Sequence, residues 1–460
     1  MKNLLSLPLL ALSLNAWAQG GITPEMLSRL AGQSQLTPAE RAISNALAAG
    51  PVSALALNQA NQVEKNTYFS HSVPSKGITD QKSSGRCWLF TGLNVLRSEL
   101  IRKKSLNQME FSENYLFFYD QLEKANLFLQ AIIDTRRLPL DNQTVCWLLQ
   151  NPLSDGGTFT GVADLVKKYG LVPVGVMPDN YTARNTSQFT TFLRRKLRED
   201  ALRLRAAGKQ TDKQLQEMKE QQLAEIYKML VMGLGQPVAT FRWAPQDSSG
   251  QYVYEPEEYT PQSFYKAMFS HDLSQDYIML MNDPTRPYWK TYEIEYDRHT
   301  YDGHNWLYLN LPMDELKQCA IQSIKDSTMM YYSCDVSKYL DRTRGYSDLK
   351  NYNYDDIFGV SFGMDKAQRI QSYDSGSTHA MTLMAVDLDA EGRPQKWEVE
   401  NSWGAASGHK GHIVMTDEWF DEYTFRLVIH KKYATPQILK AAQQKPTLLP
   451  CWDPMFAAEE

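Results

Sequence analysis

The sequence is short of both cysteine and net charge, and each shortage excludes classes of protein. Five cysteines in 460 residues are too few for a disulfide scaffold, and the lack of a C-x-x-C pair argues against a zinc ribbon or thioredoxin-like site. The 48 lysines and arginines nearly balance 53 acidic residues, so bulk charge gives no reason to expect nucleic-acid binding. The 25 glycines follow no collagen period, and 11% aromatic residues exclude a disordered chain. We therefore expect a globular protein with a sizeable core.

Long apolar runs are also missing, apart from one short run at the N-terminus. Lys2 is followed by an apolar stretch from Leu4 to Leu14 and by Ala16-Trp17-Ala18, the small-x-small pattern that signal peptidase recognises. About eleven apolar residues are too few to cross a ~30 Å hydrocarbon core. We expect residues 1–18 to be a signal peptide, and after its cleavage we expect the exported protein to be soluble, without attachment to a membrane. An apolar helix packed on the core is the alternative.

The periodicity of apolar residues changes along the chain. After Cys87, leucines recur at helical spacing, and Ser112 is a plausible N-cap of a second helix. From about residue 290, β-like segments take over, among them WLYLNL, AMTLMAV, KWEVENSW, GHIVMT and FRLVIH. The order, helices first and sheet later, predicts an α+β protein with two lobes.

Residues 191–231 are dense in charge and almost free of proline. This composition is typical of two solvated helices, joined near Gly208, that project from the body or pack on a partner subunit. Their basic cluster Arg194-Arg195-Lys196 is countered by Glu199 and Asp200, which favours a solvated helix face over a nucleic-acid patch.

Cys87 stands where a Gly/Ser-rich loop meets the first turn of a helix. The positive end of the helix dipole and a nearby imidazolium would both stabilise its thiolate, which is the nucleophilic form. A cysteine before a helix is more often a buried structural residue, but the odd cysteine count of an exported chain also indicates a free thiol. Far downstream, His379 and Asn401 supply a base and a group to orient it, in the chain order Cys, His, Asn.

With these residues the sequence resembles the papain-like cysteine peptidases, and within them the bleomycin hydrolase and aminopeptidase C family. The resemblance covers nearly the whole chain after the leader. The motifs that carry it are DQKSSGRCWLF, DGG followed by VKKYGLVP, NDP, CDV, HAMT, VENSWG, GHKG, MTDEWF and the terminal LPCWDPM.

The resemblance implies acyl-enzyme chemistry without a metal or organic cofactor. Cys87 would be the nucleophile, and His379 would act as general base and then acid. The Asn401 amide would fix the imidazole tautomer. Gln81 would donate a hydrogen bond to the developing oxyanion, beside the backbone N–H of Cys87. Trp403 would cover the His379–Asn401 hydrogen bond from water.

The resemblance also implies how a peptide substrate would be held. Gly156 and Gly157 would form a backbone strip that pairs with an extended peptide. The C-terminal arm would block one side of the cleft, where the terminal carboxylate, on Glu460, would pair with the substrate's α-ammonium. That arrangement predicts an aminopeptidase, although Phe456 departs from the glycine expected there. An endopeptidase of the same fold and a non-catalytic oligomeric peptide-binding protein are the alternatives.

Two departures from the wider papain pattern are informative. Ser84 stands where papain-type enzymes carry a cysteine, so we expect packing alone to hold the active-site loop. Cys87 and His379 are 292 residues apart, against ~130–150 in papain-like enzymes, so the excess must be insertion. In the resemblance, such insertions build a homohexamer with inward-facing active sites, which would favour peptides over folded proteins.

The resulting division of the chain has six parts. They are a signal peptide (1–18), an N-terminal extension (19–72), a helical lobe with the nucleophile (73–190), a helical insertion with oligomer contacts (191–235), an insertion plus the β-rich lobe with His379 and Asn401 (236–435), and a C-terminal arm that enters the active-site cleft (436–460). Two histidine pairs, His409 with His412 and His299 with His304, have metal-ligand spacing but no further ligand nearby, so surface or hydrogen-bonding roles are favoured.

Overall fold

The computed structural model describes residues 20–62, 66–253 and 257–456. The predicted signal peptide and Glu460 therefore lie outside the described residues. The described residues form two compact units. The smaller unit consists of the segment up to Leu57 together with Tyr352–Ser361, and the larger unit consists of all the others. In the described part of the chain, none of the helices is long and apolar enough to cross a membrane.

The helices are distributed over the whole described chain. They are α1 (Pro24–Gln33), α2 (Pro38–Ala49), α3 (Val52–Ala56), α4 (Cys87–Lys104), α5 (Glu113–Asp134), α6 (Gln143–Gln150), α7 (Phe159–Tyr169), α8 (Tyr181–Arg184), α9 (Thr186–Ala206), α10 (Asp212–Leu234), α11 (Pro261–Met268), α12 (Leu273–Asp276), α13 (Met313–Lys325), α14 (Tyr354–Phe358), α15 (Lys366–Gln371), α16 (Asp417–Tyr423) and α17 (Pro436–Ala441).

The strands concentrate in the second half. They are β1 (His71–Ser72), β2 (Phe241–Arg242), β3 (Glu258–Tyr259), β4 (Tyr277–Met281), β5 (Lys290–Ile294), β6 (Leu307–Asn310), β7 (Met330–Cys334), β8 (Leu340–Asp341), β9 (Tyr346–Ser347), β10 (His379–Leu388), β11 (Pro394–Glu400), β12 (His412–Thr416), β13 (Thr424–His430) and β14 (Thr447–Leu449). The long helices α4, α5, α9 and α10 precede most of the strands, and the predicted α+β class is confirmed.

The smaller unit contains α1, α2, α3 and α14. Helix α1 begins at Pro24, where the Thr23 side chain accepts a hydrogen bond from the Met26 N–H (3.1 Å) and proline suits the first helical position. The three described helices before Leu57 bury almost none of their side chains within this unit.

The larger unit has a helical core built around α4 and α5. Both helices are buried for most of their length, and α5 starts at the predicted N-cap, where Ser112 accepts from the Tyr115 N–H (3.1 Å). Packed on them are α7, α9, α10 and α11, which contribute leucines and aromatic residues to the same cluster.

The charged segment 191–231 forms α9 and α10, joined at a turn that includes Gly208, as predicted. The expectation that these helices project, or pack on a partner, is wrong for their apolar faces. Leucines at helical spacing, such as Leu193 and Leu197 on α9 and Leu230 on α10, lie in the core of their own chain. Contact with a second copy through the remaining faces stays a prediction.

The second core is organised by a mixed sheet of twelve described strands. Eleven of them follow the order β14-β5-β6-β4-β13-β7-β10-β11-β12-β9-β8, and the short strand β1 also pairs with β10. Strand β10 is central, and its first eight residues are all buried, between β7 and β11. Helix α4 of the helical core packs against β10. The first turn of α4 is therefore brought to the strand that begins with His379.

Candidate active site

The topology of β10 and β11 brings the predicted histidine and asparagine together. The two strands are antiparallel, with Thr382 opposite Glu400, so the first residues of β10 and the last residues of β11 lie side by side at the same end of the strand pair. His379 is the first residue of β10, and Asn401 directly follows β11. The imidazole Nε2 lies 2.8 Å from Asn401 Oδ1, which also accepts a hydrogen bond from the Ser402 N–H (2.8 Å). Nε2 therefore carries the proton, and Nδ1 is left as the base.

The His379–Asn401 pair is shielded from water. His379 is 7% exposed and Asn401 2%. The indole of Trp403 stacks on the imidazole, with ring centroids 4.9 Å apart and planes at 28°. Burial lowers the pKa of His379 to about 4; the hydrogen bond that Nε2 donates to Asn401 opposes that shift, and the positive charge of Arg342 adds to it. The imidazole is therefore neutral at neutral pH and able to accept a proton.

Cys87 is the first residue of α4 and is half-buried. Burial raises the pKa of its thiol, and the backbone N–H of Ala380, next to His379 in the chain, counteracts only part of that. Desolvation opposes the predicted stabilisation of the thiolate by the helix dipole and an imidazolium, and that stabilisation stays a prediction. The other four cysteines are free thiols as well, and Cys319, Cys334 and Cys451 are buried.

Gln81 is locked in place beside this pair. Its backbone N–H donates to the Ser402 carbonyl (2.8 Å), and its Oε1 accepts from the Ser402 hydroxyl (2.6 Å). Its Nε2 donates to the Ser84 carbonyl (2.7 Å), which uses one of the two amide hydrogens. The second hydrogen suits the oxyanion role predicted for Gln81, which stays a prediction.

The loop before Cys87 is held by polar contacts, and the expectation of packing alone is wrong. The Asp155 carboxylate accepts from the Gly85 N–H at 2.9 Å. A methyl group on Gly85 would lie only 2.4 Å from that carboxylate, so a side chain here would break the contact. Ser84, in place of the papain-type cysteine, donates to the Gln81 carbonyl (2.6 Å) and accepts from Arg86 Nε (3.1 Å).

A fully buried ion pair supports the same loop. The Arg86 guanidinium, 0% exposed, binds both oxygens of Asp179 at 2.9 and 2.7 Å. Bidentate geometry and full burial make this pair costly to break from one side. Because Arg86 immediately precedes Cys87, the pair fixes where α4 begins.

A second buried ion pair ties the nucleophile's helix to the asparagine's strand. Arg97 on α4 binds Glu400, the last residue of β11, and both side chains are nearly inaccessible to solvent. Asn401 follows Glu400 directly. The helix that carries Cys87 and the strand that positions Asn401 are therefore connected through charge as well as packing.

Side chains of the protein's own interior contact the predicted substrate strip, Gly156 and Gly157. Lys124 Nζ donates to the Gly156 carbonyl (2.6 Å). A methyl group on Gly157 would lie 2.2 Å from His299 Cε1 and 2.9 Å from the Trp88 ring. Glycine is thus required at 157 by packing within the protein, a reason that the sequence prediction, close approach of substrate, did not include.

The C-terminal arm and the glycine strip line one cavity of about 440 Å³. Strand β14 pairs with β5, and beyond it Cys451, Trp452 and Phe456 reach the cavity wall. Met455 is fully buried, and Phe456 packs edge-on against Trp306 at 4.8 Å. Glu460, predicted to meet the substrate's ammonium, lies outside the described residues.

The histidine pairs with metal-like spacing have other partners. Among the residues that the structure describes, no group of three or more potential metal ligands occurs. His299 Nδ1 lies 2.5 Å from Asp120 Oδ1, and His304 Nδ1 lies 2.9 Å from Asp164 Oδ1. The backbones of His409 and His412 pair with each other.

Sequence reasoning missed the residues that hold the site. Asp155 stands in the DGG motif that carried the resemblance, so a signal existed, but only its glycines were given a role. Arg86 lies beside the nucleophile in a quoted motif, yet nothing local indicates Asp179, 93 residues away, as its partner. Long-range partners of this kind are set by tertiary packing.

Helix α4 presents its cysteine to the edge of a sheet that holds a histidine and an asparagine, the arrangement of the papain-like cysteine peptidases. Comparison with known sequences agrees. The chain belongs to the Peptidase C1-like family, whose sequence model matches residues 21–456. The predicted resemblance and fold are thereby confirmed.

Relatives of known name cover nearly the whole chain. Human bleomycin hydrolase is 39% identical over 88% of this chain and 92% of its own length. Aminopeptidase C of Listeria monocytogenes is 36% identical over 95% of this chain and 99% of its own. The crystal structure of PepW from Lactobacillus rhamnosis superposes with a TM-score of 0.91, at 36% identity over 95% of this chain and 99% of that one. Family, site and relatives together define a cysteine aminopeptidase.

Proposed function

We propose that this chain is an exported cysteine aminopeptidase that releases N-terminal residues from peptides through a thioester on Cys87. The observation that carries the proposal is the 2.8 Å contact between His379 and Asn401. Trp403 covers this contact, which lies near the N-terminal end of α4, the helix that begins with Cys87. A peptide-binding module would have no need of a shielded, tautomer-fixed imidazole beside a thiol.

The chemistry follows from the protonation states of the two groups. The thiol proton passes to Nδ1 of His379 as the sulfur of Cys87 attacks the scissile carbonyl. Gln81 Nε2 and the backbone N–H of Cys87 stabilise the oxyanion. The imidazolium then donates its proton to the leaving amine, and water hydrolyses the thioester with His379 as base. Asn401 keeps the imidazole oriented throughout.

The docked C-terminal arm favours exopeptidase over endopeptidase action. Its last described residues line the same cavity as Gly156 and Gly157, so an extended peptide on that strip meets the arm. Met455 and Phe456 anchor the arm in the core. The four residues beyond Phe456, ending at Glu460, would place a carboxylate for the substrate's α-ammonium.

Trapping the acyl-enzyme tests the thioester directly. Acid quenching during turnover of an aminoacyl ester, followed by peptide mapping, should show the aminoacyl mass on the peptide that contains Cys87. The Cys87→Ala protein should show none. Acylation that persists in the variant, or that maps to another cysteine, would contradict the mechanism.

Export and assembly are further parts of the proposal. The leader supports cleavage after Ala18, so protein recovered from the producing cells should begin at Gln19; a soluble intracellular form that retains Met1 would contradict export. Contact between copies is supported by large apolar residues exposed on α9 and α10, among them Phe192 (49%) and Met232 (79%), and the family resemblance supplies the number six. Light scattering should give six times the chain mass, and Met232→Glu should lower it; a monomeric wild type would contradict the assembly.

A further inference from the structure

An arginine contacts the tryptophan that covers the catalytic histidine. Arg342 lies in the turn between β8 and β9, and its guanidinium carbon is 4.9 Å from the centroid of the Trp403 ring. The same indole stacks on His379. Arg342 is exposed, and its charge is close enough to lower the pKa of His379.

The acidic groups around this arginine are already bound elsewhere. Asp341 accepts the Nε of Arg344 at 2.8 Å, and Asp80, whose backbone bridges to Trp403, accepts the Nζ of Lys82 at 2.5 Å. Among the residues that the structure describes, no carboxylate forms an ion pair with Arg342. In this part of the chain the exposed cation contacts an aromatic ring but no carboxylate, so it is available to an anionic ligand.

The turn that carries Arg342 is itself anchored. The Gly345 N–H donates to the Asp341 carbonyl (2.9 Å), and Arg344 reaches Asn61 O and Asn351 Oδ1, both at 3.2 Å. Of the two arginines in this turn, one is used to hold the backbone and the other is presented over Trp403. The position of the free guanidinium is therefore set before substrate arrives, which lowers the entropic cost of using it.

Chemistry places this guanidinium on the leaving-group side of the scissile bond. In the proposed function, the arm and the glycine strip take up the side of the cleft that receives the N-terminal residue. Neither Arg342 nor Trp403 lines the cavity that the arm and the strip share. His379 gives its proton to the leaving amine, so the groups stacked beyond His379 face the segment that departs. The imidazole-to-indole and indole-to-guanidinium separations are 4.9 Å each. The guanidinium therefore lies at most about 10 Å from the imidazole, and because an extended peptide advances about 3.5 Å per residue, this reach corresponds to at most about three residues.

We propose that Arg342 is a specificity residue that binds a carboxylate on the leaving segment of the substrate. The carboxylate is the C-terminus of a dipeptide or tripeptide, or an acidic side chain within the first two residues after the scissile bond. The inference rests on the proposed aminopeptidase function and adds a preference for short or acidic leaving segments.

The test compares substrates that share the N-terminal residue cleaved fastest by the wild type. A dipeptide acid is compared with its C-terminal amide, and an X-Glu amide with the X-Gln amide, so that terminal and side-chain carboxylates are measured separately. We expect kcat/KM to favour the acidic member of at least one pair by about fivefold, mostly through KM, and to lose that preference at high salt. Arg342→Gln should abolish the preference, and Arg342→Lys should keep part of it.

Controls separate a specific role from a structural one. An aminoacyl coumarin amide, which has no carboxylate, measures any general effect of Arg342→Gln on turnover, and the acid-to-amide preference should fall beyond that effect. Arg393→Gln removes the same charge from an exposed turn between β10 and β11 and should change no pair. An equal loss on acids and amides in Arg342→Gln, or no wild-type preference in either pair, would overturn the inference. If wild type cleaves no free-amine substrate, the proposed function fails, and calorimetric binding of acid and amide to Cys87→Ala then decides on Arg342 alone.

Discussion

The backbone N–H of Gly85 donates to the Asp155 carboxylate at 2.9 Å, and no side chain fits between the two residues. Asp155 also accepts from Thr186 at the start of α9 and directly precedes the Gly156-Gly157 strip. One carboxylate thus connects the nucleophile's loop, the strip expected to hold substrate, and the first inserted helix. A shift of any one of these elements would be felt by the other two.

Asp155→Ala should reduce both stability and turnover. It leaves the Gly85 N–H and the Thr186 hydroxyl without their acceptor, which should lower the free energy of unfolding by about 2 kcal/mol. The freed loop should lower kcat about tenfold, because the sulfur of Cys87 is no longer held at its attack position. Asp155→Asn keeps one acceptor oxygen and is the matched control. Urea unfolding and steady-state kinetics measure both effects; equal values for Ala, Asn and wild type would contradict the role of Asp155.

The buried pair Arg86–Asp179 should not tolerate a conservative exchange. Lysine cannot reproduce the two parallel hydrogen bonds, so Arg86→Lys should cost about 2 kcal/mol of unfolding free energy. Arg86→Met, which leaves the Asp179 carboxylate unpaired, should cost about 3–5 kcal/mol. Adding Asp179→Asn to Arg86→Met should recover part of that loss in a double-mutant cycle. Strict additivity of the two changes would show that the pair does not act as a unit.

The acid limb of the pH–activity profile should lie near pH 4. His379 must be neutral to accept the thiol proton, and burial lowers its pKa to about 4, so kcat/KM should fall only as pH drops through that value. An exposed histidine would place the limb near 6.5. The α-ammonium of the substrate does not titrate in this range, so an aminoacyl amide is a suitable probe. A limb at pH 6–7 would contradict the buried, neutral imidazole.

The sequence was sufficient for what lies in local patterns and ordered motifs. Helix periodicity and the Ser112 cap located α5, and β-like runs located β10 to β13. The resemblance identified Cys87, His379 and Asn401, of which the latter two are in contact. The inward packing of α9 and α10 could not be predicted, because it depends on where α5 lies. That position is not encoded within the segment 191–231.

Truncation after Phe456 tests the role of the arm without disturbing its anchor. Met455 is fully buried and Phe456 packs on Trp306, so a deletion that removed them would also open a cavity in the core. Deleting only residues 457–460 should raise endopeptidase relative to aminopeptidase activity, with unfolding unchanged. Glu460→Gln is the matched control, because it keeps the terminal carboxylate and the length. An unchanged activity ratio in the truncated protein would contradict gating by the arm.

The central claim, a cysteine aminopeptidase, is tested most directly by one pair of substrates. An aminoacyl coumarin amide with a free amine and its N-acetylated twin differ only in the group that an aminopeptidase must recognise. The account predicts turnover of the free-amine substrate, a large preference for it over the acetylated one, and loss of both activities in Cys87→Ala. Preference for the acetylated substrate would contradict the aminopeptidase, and absence of turnover of either by the wild type would contradict the enzyme.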